Sequence, residues 1–283
     1  MHTPVFFINL DERGDRRAFM EAQFSSLGIA AERVSAVSAA TLPARDVERY
    51  CNPARVHCLS RSQFACWQSH IKAWHAFLAS GADWAIILED DAILSARLPS
   101  FVTAFFAEGA AARFDLVQLE TMARNTRVLP PETAVDGLAL RRFRSTIWGA
   151  AAYLISAPTV RALLARDGLF HAPADGVLFR PYVAPGSGFR MVLTDPALAI
   201  QIHQTENTGI ALGNIAPVKP KASVGVTLLR QWEELKVFAV DAADHLRHMS
   251  KGITKEVIPF DAPDGRFVGS KLSRYGVELS TGG

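Results

Sequence analysis

The chain has 283 residues, of which 49% are hydrophobic and 20% charged, and its formal net charge is +2. Length and composition are those of a folded globular protein with one large domain or two small ones, and so small a net charge gives no support to a nucleic-acid partner. The three cysteines, Cys51, Cys58 and Cys66, contain no Cys-x-x-Cys pair, so neither a disulfide framework nor a structural zinc site is predicted.

The N-terminal part alternates between strand-like and helix-like patterns. The apolar run 5–10 predicts a buried strand, 16–27 a helix that stops at Gly28, and 33–37 a second strand. A strand, a helix and a strand in this order predict a parallel sheet with a right-handed crossover. The N-terminal pattern is therefore typical of an α/β protein.

A longer helix and a short strand follow. Apolar side chains recur at helical spacing over residues 60–80, and residues 84–88 read as a fully buried strand that ends at three carboxylates. Further helices are predicted at 98–106 and 158–165, and further strands at 114–119 and 150–156. Residues 121–138 are polar and contain Pro130 and Pro131, which predicts a long active-site loop.

The character of the chain changes after residue 215. We predict a domain at 1–215 and a helical, basic appendage at 216–283, with an amphipathic helix at 226–249 and a loose, glycine-rich end from residue 263. Basic residues between 219 and 255 suggest contact with an anionic membrane surface. A solvated helix that covers the core is the alternative.

The N-terminus does not resemble a signal peptide, and no apolar run reaches the roughly 18 residues that span a bilayer. The expected location is therefore cytoplasmic, with the membrane met only at its inner surface.

The acidic triplet Glu89-Asp90-Asp91 stands where a buried strand ends. Ligands of open α/β sheets bind beyond the carboxyl ends of the strands, and carboxylates are preferred ligands of Mg²⁺ and Mn²⁺. On an extended segment Glu89 and Asp91 point the same way and Asp90 the other. The triplet predicts a metal site, and an acidic cap on a following helix is the alternative.

Five blocks of sequence resemble glycosyltransferase family 25. They read Phe-Ile-Asn-Leu-Asp at 7–11, Ala-Cys-Trp-Gln-Ser-His at 65–70, Ile-Leu-Glu-Asp-Asp at 87–91, Trp-Gly-Ala-Ala-Ala-Tyr-Leu-Ile-Ser at 148–156 and Pro-Ala-Asp at 173–175. That family includes bacterial lipooligosaccharide galactosyltransferases and collagen galactosyltransferases. The resemblance covers about residues 4–210, and the order of the blocks is more specific than any one of them.

The resemblance implies a GT-A-like fold, with a Rossmann-like, mostly parallel central sheet flanked by helices. It also implies a UDP-hexose donor, a glycan acceptor such as lipopolysaccharide, a divalent metal (Mn²⁺, or alternatively Mg²⁺) and inversion at the anomeric carbon. None of these follows from composition or periodicity. Residues 59–65, the three residues after Asp175, and the chain after residue 210 depart from the family pattern, so acceptor recognition transfers least.

The resemblance also implies roles for individual residues. Glu89 and Asp91 would hold the metal, with Asp90 beside them on the donor side. Asp175, which matches the family's proline-preceded aspartate, would take the proton from the acceptor hydroxyl, and Glu120 is the alternative base. For Asp175 a turn-forming role in Pro-Ala-Asp-Gly stays open.

Five residues are predicted to contact the donor and two the acceptor. The donor candidates are Asp90, Asn9, Arg16, Ser69 and His70, although Arg16 could form a surface ion pair and His70 could be a core residue. The acceptor candidates are Trp148 and Tyr153, because an aromatic ring offers a stacking face for a sugar. Buried packing is the favoured interpretation for Tyr153.

Two other functions remain as alternatives to sugar transfer. One is a non-catalytic protein of the same fold that binds a glycan or a nucleotide sugar, and the other is a metal-dependent phosphodiester hydrolase. Retention of the acidic residues argues against the first, and the scarcity of His/Asp clusters against the second. No dinucleotide-binding fingerprint or phosphate-binding P-loop occurs in the sequence.

Overall fold

The structure, a computed structural model, describes residues 3–181, 188–202 and 222–262. Its strands are β1 (Val5–Asn9), β2 (Ala31–Ser35), β3 (Trp84–Glu89), β4 (Ala92–Leu94), β5 (Leu116–Gln118), β6 (Glu120–Thr121), β7 (Asn125–Val135), β8 (Leu138–Phe143), β9 (Ala152–Ser156), β10 (Met191–Asp195), β11 (Ala199–Gln201) and β12 (Thr254–Val257). Its α-helices are α1 (Gly14–Leu27), α2 (Ala44–Tyr50), α3 (Arg61–Ala79), α4 (Leu98–Ala107), α5 (Ala157–Leu164), α6 (Ala174–Leu178) and α7 (Val224–His248).

The central sheet of the described chain has the strand order β12-β7-β8-β10-β5-β9-β3-β1-β2. Strands β8, β9 and β12 run opposite to the other six. A small second sheet, β4-β11-β6, lies at the ends of the strands. The predicted α/β class is confirmed, and the two parallel neighbours of β1 are the predicted β2 and the acid-bearing β3.

Helices cover both faces of this sheet, which explains why its strands are apolar on both sides. Alternate residues of β1 enter different cores. Phe6 and Ile8 pack with the aromatic side chains of α3, whereas Val5 and Phe7 pack with α1 and α4. Each face therefore has its own buried cluster, and the polar ends of the strands are left as the accessible edge.

Helix α3 owes its fixed start to a capping box. The Ser60 hydroxyl accepts a hydrogen bond from the backbone N–H of Gln63 at 3.1 Å, and the Gln63 side chain accepts one from the backbone N–H of Ser60 at 2.9 Å. The helix then presents Cys66, His70 and Trp74, which are spaced four residues apart, along one side. This side carries polar groups to the end of β3.

The prediction of a long loop at residues 121–138 is wrong. The segment forms β6 and β7, and β7 turns directly into β8 through Asp136 and Gly137, both with positive φ of 50° and 73°. Such two-residue turns fit the twist of a hairpin. The prolines that suggested a loop lie where the β7–β8 register shifts and outside the stretch of β7 that pairs with β12.

Helix α7 confirms the helix predicted at 226–249. After it, β12 pairs antiparallel with β7 at the outer edge of the central sheet, where Arg141 forms ion pairs with Asp195 and Glu256. The predicted domain boundary at residue 215 and the predicted loose end from residue 263 lie outside the described residues. No described helix combines the length and hydropathy that crossing a membrane requires.

Candidate functional site

A pocket of about 280 Å³ opens at the carboxyl ends of β1 and β3. The two strands are parallel neighbours with Ile8 opposite Glu89, so the residues that follow them meet at one edge. The pocket is lined by the acidic triplet, by Arg13 and Arg16, and by Cys66, Ser69 and His70 of α3. It thus combines three carboxylates with two guanidinium groups.

Asp90 is buried and fully engaged by its neighbours. Its Oδ2 accepts a hydrogen bond from the Asn9 side chain at 2.8 Å, and its Oδ1 accepts one from Arg16 at 2.8 Å. Asn9 is itself held because its Oδ1 accepts a hydrogen bond from Arg33 at 3.0 Å. Asn9 and Asp90 therefore fix the end of β1 to the end of β3 and aim Arg16 into the pocket.

Asp91 keeps an unused oxygen. Its Oδ2 lies 3.4 Å from Arg16, while its Oδ1 is buried and has no hydrogen-bond partner among the described residues. Burial, followed by repulsion from Glu89, raises the pKa of Asp91 to about 7, although Arg16 acts in the opposite direction. A buried carboxylate with a free oxygen is costly to ionise, so the site is poised to take up a cation or a proton.

A directed chain of hydrogen bonds leads to Glu89. Trp74 Nε1, which can only donate, lies 2.9 Å from the Tyr153 hydroxyl oxygen, and that oxygen lies 3.0 Å from His70 Nδ1. Among the described residues, Nδ1 is the acceptor within reach of the Tyr153 proton, so we assign that proton to the Tyr153–Nδ1 hydrogen bond. His70 therefore carries its proton on Nε2 and donates it to Glu89 Oε1, 3.1 Å away. The tautomer of His70 follows from this chain.

The relay determines how Glu89 behaves. Burial raises the pKa of Glu89, but the hydrogen bonds from His70 and Cys66 and the charge of Arg16 outweigh it, so the pKa lies below its usual value. The Cys66 thiol also donates to Oε1, at 3.6 Å, and burial raises the pKa of that thiol well above its usual range. Glu89 is thus kept as a carboxylate with one oxygen occupied.

Cys66, His70 and Glu89 place ligand atoms within 4.8 Å of one another, a spacing that a transition metal would suit. The relay argues against this use, because His70 Nε2 carries a proton and has no lone pair to offer. The thiol is also strongly favoured over the thiolate. The three residues are better described as a hydrogen-bonded support for Glu89.

A second acidic pair lies beside the first. Glu120, only 4% exposed, follows β5 and accepts a hydrogen bond from the backbone N–H of Ala151 at 2.7 Å, while its Oε1 has no partner among the described residues. Asp175, in the first turn of α6, accepts backbone N–H bonds from Gly149 at 2.9 Å and Gly176 at 2.7 Å.

Gly149 separates these two carboxyl groups. Its φ is +98°, and a Cβ at this position would lie 2.6 Å from Glu120 Oε1. Burial, followed by repulsion from Glu89, raises the pKa of Glu120 well above its usual value. Burial also raises the pKa of Asp175, but its two backbone N–H bonds lower it again in part.

Four carboxyl groups from three separate parts of the chain lie close enough to influence one another electrostatically, namely Glu89, Asp91, Glu120 and Asp175. Glu89 and Asp91 line the first pocket, whereas Asp175 lines neither of the two pockets described. The second pocket, of about 160 Å³, is lined by Glu120, by Thr146 and by Trp148, whose ring is 43% exposed. One pocket approaches the acids from the β1 side and the other from the β6 side.

Residues 2–177 match the family described as glycosyltransferase family 25 (LPS biosynthesis protein). The chain belongs to glycosyltransferase family 25. It is similar to two lacto-N-neotetraose biosynthesis glycosyltransferases of Neisseria meningitidis serogroup B. LgtE is 28% identical over 69% of this chain and 72% of its own length, and LgtB is 29% identical over 74% and 80%.

A third relative is the inactive glycosyltransferase 25 family member 3 of Mus musculus, 27% identical over 58% of this chain and 29% of its own length. An inactive relative shows that membership of family 25 does not by itself guarantee catalysis. The activity of this chain therefore has to be argued from its own carboxylates and pockets.

The family 25 site brings most of the predicted residues together. The acidic triplet, Arg16, Ser69 and His70 line the first pocket, and Glu120 and Trp148 line the second. Ser69 also uses its hydroxyl internally, since it donates to the carbonyl of Ala65 and accepts from the backbone N–H of Val37, both at 2.8 Å. The predicted roles of these residues stay predictions.

Two of the candidate residues lie below the pocket surface. The side chain of Tyr153 is 0% exposed and its hydroxyl is bonded to Trp74 and His70, which agrees with the favoured interpretation of buried packing and not with an acceptor contact. Asn9 is 1% exposed and reaches Asp90 rather than the pocket surface. From the side of the core, Asn9 positions Asp90, and Tyr153 positions Glu89 through His70.

Three family 25 site residues were not singled out from the sequence. For Cys66 the available signal is its spacing of four residues from His70, which places both on one side of a helix. Arg13 lies in the polar segment before α1, where the sequence pattern carries no signal of its own. Gly149 stands in a Trp-Gly-Ala sequence just before a strand, where a glycine indicates an unusual backbone. Its contact with Glu120 could not be predicted, because the two residues are far apart in the chain.

We expect Tyr153→Phe to lower the free energy of unfolding by about 1–3 kcal/mol, because it leaves Trp74 Nε1 and His70 Nδ1 buried without their shared partner. Urea unfolding measures the change. Tyr50→Phe is the matched control, since the Tyr50 hydroxyl forms no hydrogen bond within the described residues. An equal loss in both variants would contradict the relay.

We expect Asp91→Asn to stabilise the metal-free protein, and to do so more at pH 8 than at pH 5. The folded pKa of about 7 exceeds the unfolded value of 3.8, so ionisation of Asp91 costs folding free energy as the pH rises between these values. One pKa unit corresponds to about 1.4 kcal/mol. Urea unfolding in EDTA buffer at the two pH values tests this, with exposed Glu32→Gln as the control. A gain that is independent of pH would refute the assignment.

Proposed function

We propose that this chain transfers a hexose, galactose or glucose, from a UDP-sugar to a saccharide of the lipopolysaccharide type, with inversion at the anomeric carbon. The observation that carries the proposal is the cluster of four carboxyl groups beside two pockets. Transfer between two bound molecules requires two compartments that share one reactive edge. Similarity to LgtE and LgtB supports the acceptor class.

The first pocket suits a nucleotide diphosphate. Arg16 lines it and is held by Asp90 and Asp91, and its Nε is buried without a hydrogen-bond partner among the described residues. Arg13 lines the same pocket at the start of α1. Guanidinium groups recognise phosphate oxygens well, so these two would bind the diphosphate while the apolar side chains of the pocket wall contact the base.

The acidic residues fit a divalent cation. The unpartnered Asp91 Oδ1, beside the ionised Glu89, offers the oxygen ligands that Mn²⁺ and Mg²⁺ prefer. Asp91 and Glu89 would hold the ion, which when bound would offset negative charge on the departing nucleotide. Asp90 is already engaged by Asn9 and Arg16, so its part is to position Arg16.

Asp175 is the preferred base for the acceptor hydroxyl. Its two backbone N–H bonds orient the carboxylate and favour its ionised form, whereas Glu120 receives a single one and lies closer to the protonated state. Asp175 would accept the proton as the hydroxyl oxygen attacks the anomeric carbon. Glu120 would then hold the acceptor through a hydrogen bond.

The second pocket suits a saccharide. Trp148 offers an exposed ring at its rim, and Glu120 and Thr146 supply polar groups in its wall. An aromatic face with a few polar side chains is a common way to bind a sugar ring, because one side of the ring is apolar and its edge carries hydroxyls.

The proposal predicts that UDP binds more tightly with Mn²⁺ than in EDTA, and that Asp91→Asn abolishes this difference. Arg16→Ala should weaken UDP binding by about tenfold or more in either condition, because it removes a charge-assisted contact. Isothermal titration calorimetry measures both effects. Arg17→Ala is the matched control, since Arg17 is exposed and paired with Glu21.

Absence of UDP binding under every metal condition would contradict the proposal that the donor is a UDP-sugar. Equal binding in Mn²⁺ and EDTA would instead remove the metal from the proposal and leave the nucleotide.

Asp175→Asn should lower kcat for transfer by about 10²–10⁴-fold with UDP binding unchanged, because it removes the base without touching the donor pocket. Glu120→Gln should act mainly on the KM for the acceptor. Transfer from UDP-galactose and UDP-glucose to a lipopolysaccharide-derived oligosaccharide is the assay, with the product anomer identified by NMR. The reverse pattern in the two variants would make Glu120 the base.

A further inference from the structure

Helix α7 is attached to the body of the protein by its polar side. Arg230 donates hydrogen bonds to the backbone carbonyls of Pro53, Arg55 and Val56 at 2.8–3.1 Å. Farther along, Asp241 forms an ion pair with Arg127, and Asp244 forms one with Arg144.

At the end of the helix, His248 is buried and accepts a hydrogen bond from Arg144 at 2.9 Å. These contacts come from the second turn of α7 and from its last two turns. They fix which side of the helix faces the sheet.

The opposite side of α7 is apolar and exposed. Its large side chains are between 44% and 78% exposed, and they are Val224, Leu228, Leu229, Trp232, Leu235, Phe238, Val240 and Leu246, with Met249 directly after the helix. A surface helix of a globular protein normally turns such a face toward the core. Here the orientation is inverted, and the ion pairs on the inner side hold it so.

The exposed apolar face is too broad for a simple helix pair. Leu228, Trp232, Leu235, Leu246 and Met249 follow the spacing of a coiled-coil seam. Three further side chains widen the face on both sides of that seam, namely Leu229, Phe238 and Val240. A flat apolar medium would cover this width better than one partner helix.

Exposed cations accompany the apolar face. Arg247, Lys251 and Lys255 are exposed and form no ion pair within the described residues. Among the acidic residues of α7, Asp241 and Asp244 pair with arginines of the body and Glu233 pairs with Lys236, which leaves Glu234 as the exposed carboxylate without an ion pair within the described residues. The outer surface is therefore apolar with a positive margin.

We propose that α7 lies in the surface of an anionic membrane, with its outer apolar face between the headgroups and the acyl chains. A broad apolar face, a tryptophan within it and basic residues at its margin are the features that bind such a surface. Trp232 would sit at the level of the headgroups, where tryptophan is favoured. The ion pairs to Arg127 and Arg144 keep the helix flat on the body of the enzyme.

The position of α7 relates the membrane contact to sugar transfer, and this part of the inference rests on the proposed function. Arg127 and Arg144, which hold α7, are chain neighbours of Thr126 and Ser145, and Thr126 and Thr146 line the second pocket. The pocket proposed for the acceptor thus opens next to the helix. A saccharide carried on a lipid in that membrane would reach the carboxylates without leaving the surface.

Vesicle sedimentation of the full chain tests the proposal. We expect binding to phosphatidylcholine vesicles that contain phosphatidylglycerol, and binding at least about tenfold weaker to phosphatidylcholine alone, because several cations contribute. The double variant Leu235→Glu/Phe238→Glu should lose binding. Trp232 fluorescence should shift to the blue on binding, and Trp232→Phe should remove most of that shift.

The control is Thr103→Glu, which adds a carboxylate to an exposed position of α4. It should bind vesicles like the wild type, and circular dichroism should show all variants folded. Absent binding of the wild type, or undiminished binding of the folded double variant, would overturn the proposal. So would a dimer that the double variant dissociates, because it would assign the face to a second copy.

Activity separates this proposal from the one on which it rests. The double variant should transfer sugar to a free oligosaccharide at the wild-type rate and lose transfer to a vesicle-embedded glycolipid. Vesicle binding without any sugar transfer by the wild type would overturn the transferase function while the membrane contact stood.

Discussion

The indole N–H of Trp74 can donate a hydrogen bond but cannot accept one, and the chemistry of the site depends on this asymmetry. It forces the Tyr153 proton toward His70 and the His70 proton toward Glu89. Glu89 is thereby ionised at the end of β3 although it is surrounded by other acids. Burial raises the pKa of Asp91, Glu120 and Asp175, and the charge of Glu89 raises each of them further. The buried indole thus orients the chain of donors that ends at the carboxylate in the middle of this cluster.

The acidic cluster lowers the stability of the folded protein. Asp91 and Glu120 each bury an oxygen without a partner among the described residues, which a structure selected only for folding would avoid. The surrounding core compensates, since two apolar clusters clamp the sheet from both faces. Strain of this kind is expected where a site awaits charged ligands.

Much of the fold could be predicted because the signals were local. The apolar runs of β1 and β3, the helical spacing of α3 and α7, and the acids after β3 can all be recognised within short windows. The β7–β8 hairpin was missed because two prolines outweighed the Asp136-Gly137 step, which is itself a strong hairpin signal. At this segment the prolines indicate a loop and the Asp-Gly step indicates a hairpin, and the hairpin is what forms.

The site was predictable in its parts but not in its connections. The triplet at 89–91, Glu120 and Asp175 were identified as separate candidates. Their mutual distances depend on strand order, which periodicity does not reveal. The burial of Tyr153 and the engagement of Asn9 are likewise long-range facts. The orientation of α7 was the least predictable feature, because amphipathic spacing shows that a helix has two faces and not which one turns inward.

The polar attachment of α7 also bears on how the protein can change over time. A helix held by ion pairs and carbonyl contacts can acquire new outer residues without disturbing the packing of the sheet. The family match ends at residue 177, before this helix begins. The outer surface of α7 and the acidic cluster are therefore separable, because a change in one need not alter the contacts that build the other.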